Sequence, residues 1–156
     1  MKEVAVKLVS MFAVIIGLIA CSGNADVTTG QDTNSLLPCP GKPNCVSSLT
    51  TDKRHAIEPL RYYGSREIAQ QTLLEVIGLW ERAHVVAVQG NRIHAEFTSA
   101  LFRFVDDVDF LFDDIEKTIH VRSASRIGWS DLGVNRRRVE AIRKRFVELS
   151  AKEAKP

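Results

Sequence analysis

The chain has 156 residues, of which 45% are hydrophobic and 26% are charged, a composition typical of one globular domain rather than of a fibrous or disordered protein. Lys and Arg number 21 and Asp and Glu number 19, which leaves a formal charge of +2. So small a charge excludes a global field that would recruit nucleic acid, and no nucleic-acid partner is predicted.

Residues 1–20 have the pattern of an export signal. Lys2 and Lys7 precede an apolar run of residues 8–20, which is shorter than the roughly 20 residues of a transmembrane helix. The run ends in L-I-A-C at Cys21 and there resembles the lipobox of bacterial lipoprotein signal peptides. The resemblance implies that Cys21 is acylated, with palmitate among its acyl chains, and becomes the mature N-terminus. The alternative is an uncleaved anchor or an ordinary signal peptide.

Acylation at Cys21 predicts a lipid-anchored protein of the cell envelope, because several acyl chains anchor firmly where one is marginal. The membrane is then a partner through Cys21. Ser22 follows the cysteine and does not resemble the Asp-type signal for retention in the inner membrane. The prediction for a cell with two membranes is therefore the periplasmic side of the outer membrane.

Residues 21–37 are small, polar and aperiodic, which predicts a flexible tether, and residues 38–150 are assigned to a single folded domain. Five residues separate Cys39 from Cys45. In an oxidising envelope compartment these two cysteines are predicted to form a disulfide rather than a redox or metal pair. A nucleophilic Cys45 is the alternative, although no obvious base is near it in sequence.

Hydrophobic periodicity predicts an α+β domain. Ser65 is expected to cap a helix that runs to about Glu81, and a last helix is expected over residues 134–149. Between them the period changes to the alternation of strands. The predicted strands are residues 85–88, 92–98, 102–112 and 118–123. The order α-β-β-β-β-α predicts two layers, a four-stranded antiparallel meander packed against two helices.

The alternation of the third strand places Asp106 on the apolar face with Phe102, Phe104 and Val108. A carboxylate there must be paired, protonated or moved outward. One interpretation is a β-bulge at Asp106 and the next residue that resets the register. The other is an inward Asp106 paired with Arg126 or another arginine of residues 123–138, either as a structural pair or as an acid/base.

The opposite face of the predicted sheet is charged. His94, His120 and one carboxylate could in principle hold a metal ion. Cross-strand charge pairs on a solvated face explain the same side chains without one, so no metal is predicted. The residues on this face are His94, Glu96, Arg103, Asp107, Asp109, His120 and Arg122.

Residues 123–138 combine a turn, a helix start and several cations. Ser130 or Asp131 is predicted to cap the last helix. The free N–H groups of its first turn, with nearby cations, would suit a phosphate, sulfate or carboxylate. The alternative is that Asp131 occupies the anion position and the arginines form internal salt bridges. The candidate anion-binding residues are Arg126, Asn135, Arg136 and Arg138.

Two separate motifs carry a family resemblance. P-N-C-V-S-S lies at residues 43–48, and S-R-I-G-W-S-D-L-G-V-N-R-R-R lies at residues 125–138. With both in this order, the chain resembles the domain of unknown function 1499 family over most of the predicted domain. Its members are mostly small bacterial envelope proteins, often lipoproteins, with plastid relatives. The resemblance implies no established activity, but it implies that the cysteine loop (residues 39–45) and the arginine-rich turn (residues 123–138) form one site in space.

These observations predict a non-enzymatic structural or anion-binding module. The chain has no Walker loop, no dinucleotide-binding turn, no G-x-S-x-G and no H-E-x-x-H, so no cofactor and no catalytic residue is assigned. One alternative is an envelope hydrolase that uses Asp106 with Arg126. The other is a docking surface of arginines for a protein partner or an anionic membrane.

Overall fold

The computed structural model describes residues 35–153. The predicted signal peptide, Cys21 and the tether as far as residue 34 lie outside these residues. Leu36 is buried, so packing begins within the last residues that composition assigned to the tether. None of the helices in the described range has both the length and the apolar character needed to cross a membrane.

One layer of the domain is an antiparallel sheet of the strands β1 (Cys45–Ser47), β2 (Leu60–Arg61), β3 (Ala83–Gln89), β4 (Arg92–Thr98), β5 (Val105–Asp113) and β6 (Thr118–Ser125). The four longest strands form the predicted meander, in the spatial order β6-β5-β4-β3. Two further strands, β1 and β2, pair with the edge of β6 that β5 leaves free. Strands of two or three residues are too short to show alternation, which is why the sequence predicted four strands and the sheet has six.

Two helices form the other layer, α1 (Arg66–Gly78) and α2 (Val134–Glu153). The Ser65 side chain accepts the N–H of Ile68 at 3.3 Å and so caps α1. Ile68 itself is exposed, and the buried face of α1 begins one residue later. The core lies between the helices and one face of the sheet. Its largest fully buried side chains are Leu60, Leu73, Val76, Ile77, Ile93, Val108, Phe110, Phe112, Ile119, Val121, Ile142 and Phe146.

The predicted third strand is shorter than its alternation indicated. β5 begins at Val105, and Arg103 has a φ of 53°, which an extended strand does not permit. Phe102 and Phe104 therefore leave the sheet. Both rings are exposed and stack on each other with centroids 5.4 Å apart. Their predicted place in the core is wrong.

Cys39 and Cys45 form the predicted disulfide, with an S–S distance of 2.03 Å and Cα atoms 5.6 Å apart. Because β1 begins at Cys45, the bond fixes the preceding loop to the edge of the sheet. Closing so short a loop stabilises a fold by about 2 kcal/mol in the chain-entropy description. The loop that carries Asn44 is thereby held against β6.

Candidate functional site

Asn44 joins the cysteine loop to the arginine-rich turn. Its side-chain amide donates to the Gly128 carbonyl at 3.0 Å and to the Ser125 carbonyl at 3.4 Å. Its backbone carbonyl accepts the Ser125 N–H and the Asn135 side-chain amide, both at 3.0 Å. The two sequence motifs therefore lie against each other in space. Asn44 is not among the predicted site residues, although its place inside the P-N-C motif is a usable signal.

Asp106 and Arg138 form a buried ion pair on the inner face of the sheet. Asp106 is only 4% exposed and Arg138 only 7%, and the Arg138 guanidinium donates to the Asp106 carboxylate. The same guanidinium donates to Asn135 Oδ1 at 2.7 Å and to Ser123 Oγ at 3.1 Å, and it lies 5.0 Å from the centroid of the Phe97 ring. These additional contacts compensate the desolvation that makes a buried pair costly.

We refer to Asn44, Asp106, Ser123, Ser125, Asn135 and Arg138 as the buried polar cluster. Ser123 Oγ donates to Asn135 Oδ1 at 2.5 Å, and the Asn135 amide also donates to Ser125 Oγ at 3.0 Å. The cluster connects β5, β6, the cysteine loop and the start of α2. Its charged groups are satisfied by one another, so it holds elements together rather than presenting a reactive group.

Asp106 has no bulge and pairs in the core with an arginine of residues 123–138, as the second interpretation expected. The register of β5 with β4 and β6 is continuous from Val105 onward, so no bulge turns Asp106 outward; the irregularity in the sheet lies between Val85 and Ala87 of β3. The carboxylate is inward, but its partner is Arg138 and not Arg126. Arg126 contacts the opposite face of the sheet, so the pair proposed as an acid/base site does not exist.

A periodic signal in the sequence did point to Arg138. The buried stripe of α2 runs through Val139, Ile142 and Phe146. Extending its spacing of three and four residues toward the N-terminus reaches Arg138 and Asn135. Both are buried as this stripe requires.

The start of α2 is closed by its own side chains. Asp131 accepts the Gly133 N–H at 3.0 Å and the Asn135 N–H at 2.7 Å, and Ser130 Oγ accepts the Leu132 N–H at 3.2 Å. The Asp131 carboxylate thus lies where an external anion would have to bind. The first turn of α2 is already neutralised from within the chain.

The remaining arginines of this region also make internal contacts. Arg136 donates to the carbonyls of Ala56 at 2.7 Å and Arg54 at 3.1 Å. Arg137 donates to the Leu132 carbonyl at 2.8 Å. The four candidate anion-binding residues therefore do not converge: Arg126 lies on the outer face of the sheet, Asn135 and Arg138 lie in the buried polar cluster, and Arg136 holds the segment next to β1.

The outer face of the sheet carries a second polar network. We refer to Arg92, His94, Glu96, Asp107, Asp109, Arg122 and Arg126 as the charged face. Asp109 is its most buried member and accepts from His94 Nδ1 and from Arg92, both at 3.0 Å. Arg126 donates to the two oxygens of Asp107 at 2.8 and 2.9 Å and also to Glu96.

The contacts of the charged face shift its titrations. The hydrogen bond to Asp109 is the main reason that the pKa of His94 is raised. Burial opposes ionisation of Asp109, but hydrogen bonds from His94 and Arg92 outweigh it and hold the pKa of Asp109 below its ordinary value. Hydrogen bonds to Asp107 and Glu96 raise the pKa of Arg126. The contacts of the charged face therefore favour the ionised forms of these three groups.

Three members of the charged face could in principle hold a metal ion. Ligand atoms of His94, Glu96 and Asp107 all lie within 4.8 Å of one another. Both carboxylates are already bound by Arg126, so an ion would have to displace that guanidinium. His120, which sequence reasoning had placed with His94, instead contacts Ser48 Oγ through Nδ1 at 3.3 Å. The geometry is that of cross-strand charge pairs.

A comparison with protein families shows which family the chain is related to. A family profile described as "Protein of unknown function (DUF1499)" matches residues 35–146, which is more than half of the chain. The chain belongs to the DUF1499 family. No curated protein and no solved structure matches it.

The DUF1499 match includes every residue of the buried polar cluster and of the charged face. It also includes the disulfide and all six strands. Both motifs that suggested the family, residues 43–48 and residues 125–138, meet at Asn44. In this DUF1499 domain the motifs therefore mark a structural joint between the cysteine loop, the sheet and α2.

Proposed function

We propose that this DUF1499 chain is a lipid-anchored protein of the cell envelope whose folded domain acts as a non-enzymatic structural or binding module. The proposal rests on one observation: the polar and cationic residues of the buried polar cluster and of the start of α2 bind other groups of the same domain. Asp106 and Arg138 neutralise each other in the core, and Asp131 closes the start of α2. Because these groups bind one another, they stabilise the folded domain and few of them remain available to react with a substrate.

The cysteines support an exported location. The disulfide between Cys39 and Cys45 is of a kind that persists in oxidising compartments and is rare in the cytosol. The lipobox-like sequence that ends at Cys21 supplies the means of attachment. On the periplasmic side of an outer membrane, an acylated Cys21 would hold the domain beside the bilayer.

The internal contacts favour a structural role over recognition of a free anion by the arginine-rich turn. A phosphate or carboxylate would have to replace Asp131 at the helix start, and it would find Arg138 buried. The hydrolase alternative has less support, because Asp106 and Arg126 lie on opposite faces of the sheet. The docking alternative, in which the arginines form the contact surface, also has less support, because Arg126, Arg136 and Arg138 are held by internal contacts.

The lipid anchor is tested by expressing the full chain in a bacterial host fed an alkyne analogue of palmitate. We expect the wild-type chain to take up the label and to remain with the membrane fraction. Cys21→Ser should lose the label and keep an uncleaved signal peptide. Mass spectrometry of the N-terminal peptide of the purified wild-type protein should show acylated Cys21.

The matched control is a Cys39→Ser/Cys45→Ser chain, which removes the other two cysteines and keeps Cys21. It should be labelled as strongly as the wild-type chain. An unlabelled wild-type chain with an intact N-terminal segment would refute the anchor. Label that persists in Cys21→Ser would place the acyl group elsewhere and also contradict the proposal.

A further inference from the structure

Two loops at one end of the sheet expose large apolar side chains. Residues 99–104 join β4 to β5, and residues 126–133 join β6 to α2. The Arg126 N–H donates to the Val105 carbonyl at 3.2 Å, which joins the two loops at their base. Phe104 and Ile127 are the residues next to this hydrogen bond in the two loops. We refer to their exposed apolar residues as the apolar tip: Leu101, Phe102, Phe104, Ile127, Trp129 and Leu132.

The apolar tip is more than scattered surface hydrophobicity. Leu132 is 84% exposed, Leu101 79% and Trp129 69%, so these side chains pack against very little of the described domain. Single exposed apolar residues are ordinary, but six on two loops joined by a backbone hydrogen bond are a concentration of the kind that marks an interaction site. Arg103 and Leu132, one in each loop, have φ values of 53° and 52°, a conformation that is uncommon outside glycine.

We infer that the apolar tip inserts into the surface layer of the lipid bilayer and so orients the domain on the membrane. This inference rests on the proposed lipid anchor at Cys21. Large aliphatic residues with tryptophan and phenylalanine, accompanied by arginine, are the composition that inserts at the boundary between headgroups and acyl chains. Trp129 has the amphipathic ring suited to that depth.

The charges around the apolar tip fit an anionic lipid surface. The two loops carry Arg103 and Arg126 and one acidic residue, Asp131, and Arg126 is already paired with Asp107 and Glu96. The Asp131 carboxylate accepts two N–H groups at the start of α2, so it is partly neutralised. Arg137 donates to the Leu132 carbonyl and thus lies beside the tip. The Arg103 and Arg137 side chains would be attracted to anionic headgroups.

The short length of chain between Cys21 and the domain favours the membrane as the partner of the apolar tip. Residues 21–35 reach at most about 50 Å when fully extended, and a domain of this size is roughly 35 Å across. An acylated Cys21 would therefore keep every side of the domain within reach of the bilayer. At such proximity a modest apolar contact suffices, because the second contact is intramolecular.

The test uses the fluorescence of Trp129 in the full acylated chain, reconstituted into vesicles of phosphatidylethanolamine and phosphatidylglycerol. We expect vesicles with brominated acyl chains to quench this fluorescence and the bilayer to shield Trp129 from aqueous acrylamide. Trp80 also fluoresces but packs on Phe97 with centroids 5.7 Å apart. The signal that disappears in Trp129→Phe is assigned to Trp129.

A pair of matched variants tests the tip itself. Leu101→Ser/Leu132→Ser should lower the ratio of docked to free domain at least about tenfold, since two large apolar side chains no longer leave water. Ile115→Ser/Val147→Ser changes two exposed aliphatic residues away from both loops and should leave the quenching of Trp129 unchanged. All four substitutions lie at exposed positions, so both variants should fold, and circular dichroism checks that they do.

The outcomes separate this inference from the anchor. If the acylated chain sits on the vesicle while Trp129 is not quenched by bromolipid and stays open to acrylamide, the docking inference fails and the anchor stands; the tip would then be left for a protein partner. If the chain proves unacylated, the same measurement is made on the full chain mixed with vesicles. Quenching there supports docking without the anchor, and no quenching overturns both.

Discussion

Asp106 and Asp107 are neighbours in the chain, yet each forms an ion pair of a different kind on opposite faces of β5. Asp106 meets Arg138 in the core, where both side chains are almost fully buried. Asp107 meets Arg126 on the outer face, where the guanidinium is exposed. The alternation of a strand thus separates two chemically equal pairs into two environments.

The difference shows that burial, rather than pairing, decides what such a contact contributes. Water and salt screen the exposed pair, so it contributes little to stability. The buried pair cannot exchange its partner for water, so the loss of either side leaves an uncompensated charge. The buried polar cluster is therefore expected to hold the domain together, and the charged face to modulate it.

The largest effect is expected from Arg138→Ala. The substitution leaves the Asp106 carboxylate buried without its cation and removes the donors to Ser123 and Asn135. We expect the free energy of unfolding to fall by about 3–5 kcal/mol, which is a large share of the stability of a small domain. Urea denaturation followed by circular dichroism measures the change.

Arg126→Ala is the matched control on the other face, since it removes an arginine bound to an aspartate in the same strand. Its effect should be a small fraction of that of Arg138→Ala. An Asp106→Leu/Arg138→Met double variant should recover much of the lost stability, because an apolar pair carries no desolvation cost. Equal losses for the two single variants would contradict the contrast between the faces.

A smaller effect is expected from Asn44→Ala, which removes the side-chain donor that links the cysteine loop to the arginine-rich turn. The carbonyls of Gly128 and Ser125 each lose a partner, so we expect a loss of about 1–3 kcal/mol. Asn44→Asp should be at least as damaging, since a carboxylate cannot donate to two carbonyls. Tolerance of aspartate in urea denaturation would mean that Asn44 acts by its size alone.

Much of the fold was accessible from sequence because its elements are long and periodic. The meander, the Ser65 cap and the stripe of α2 follow directly from spacing. The loop at residues 99–104 was not accessible, because Phe102 and Phe104 continue the alternation of β5 and only the left-handed Arg103 breaks it. β1 is held by pairing with β6 and by the disulfide, neither of which leaves a periodic pattern.

The candidate site was predictable in its parts and not in its pairing. Alternation left Asp106 either inward or in a bulge, and Arg126 and Arg138 were both available to an inward carboxylate in one stretch. Choosing between them requires knowing that α2 packs on the inner face, so that Arg138 shares the stripe of Val139 while Arg126 precedes the helix on the outer side. That is tertiary information which local spacing does not contain.

The smallest expected effect is a pH dependence that originates on the charged face. The hydrogen bond to Asp109 raises the pKa of His94 above its ordinary 6.5, so folding favours the protonated ring. This stabilisation is fully present below pH 6.5 and is lost as the pH rises through the higher pKa of the folded state. The free energy of unfolding, measured by urea titration on both sides of that range, should therefore decline with rising pH.

His94→Gln should flatten the decline. His120→Gln should retain it, because the His120 ring contacts Ser48 and not Asp109. A decline that persists in His94→Gln would mean that another group titrates in this range and that the stability of the charged face, unlike that of the core, does not depend on the protonation of His94.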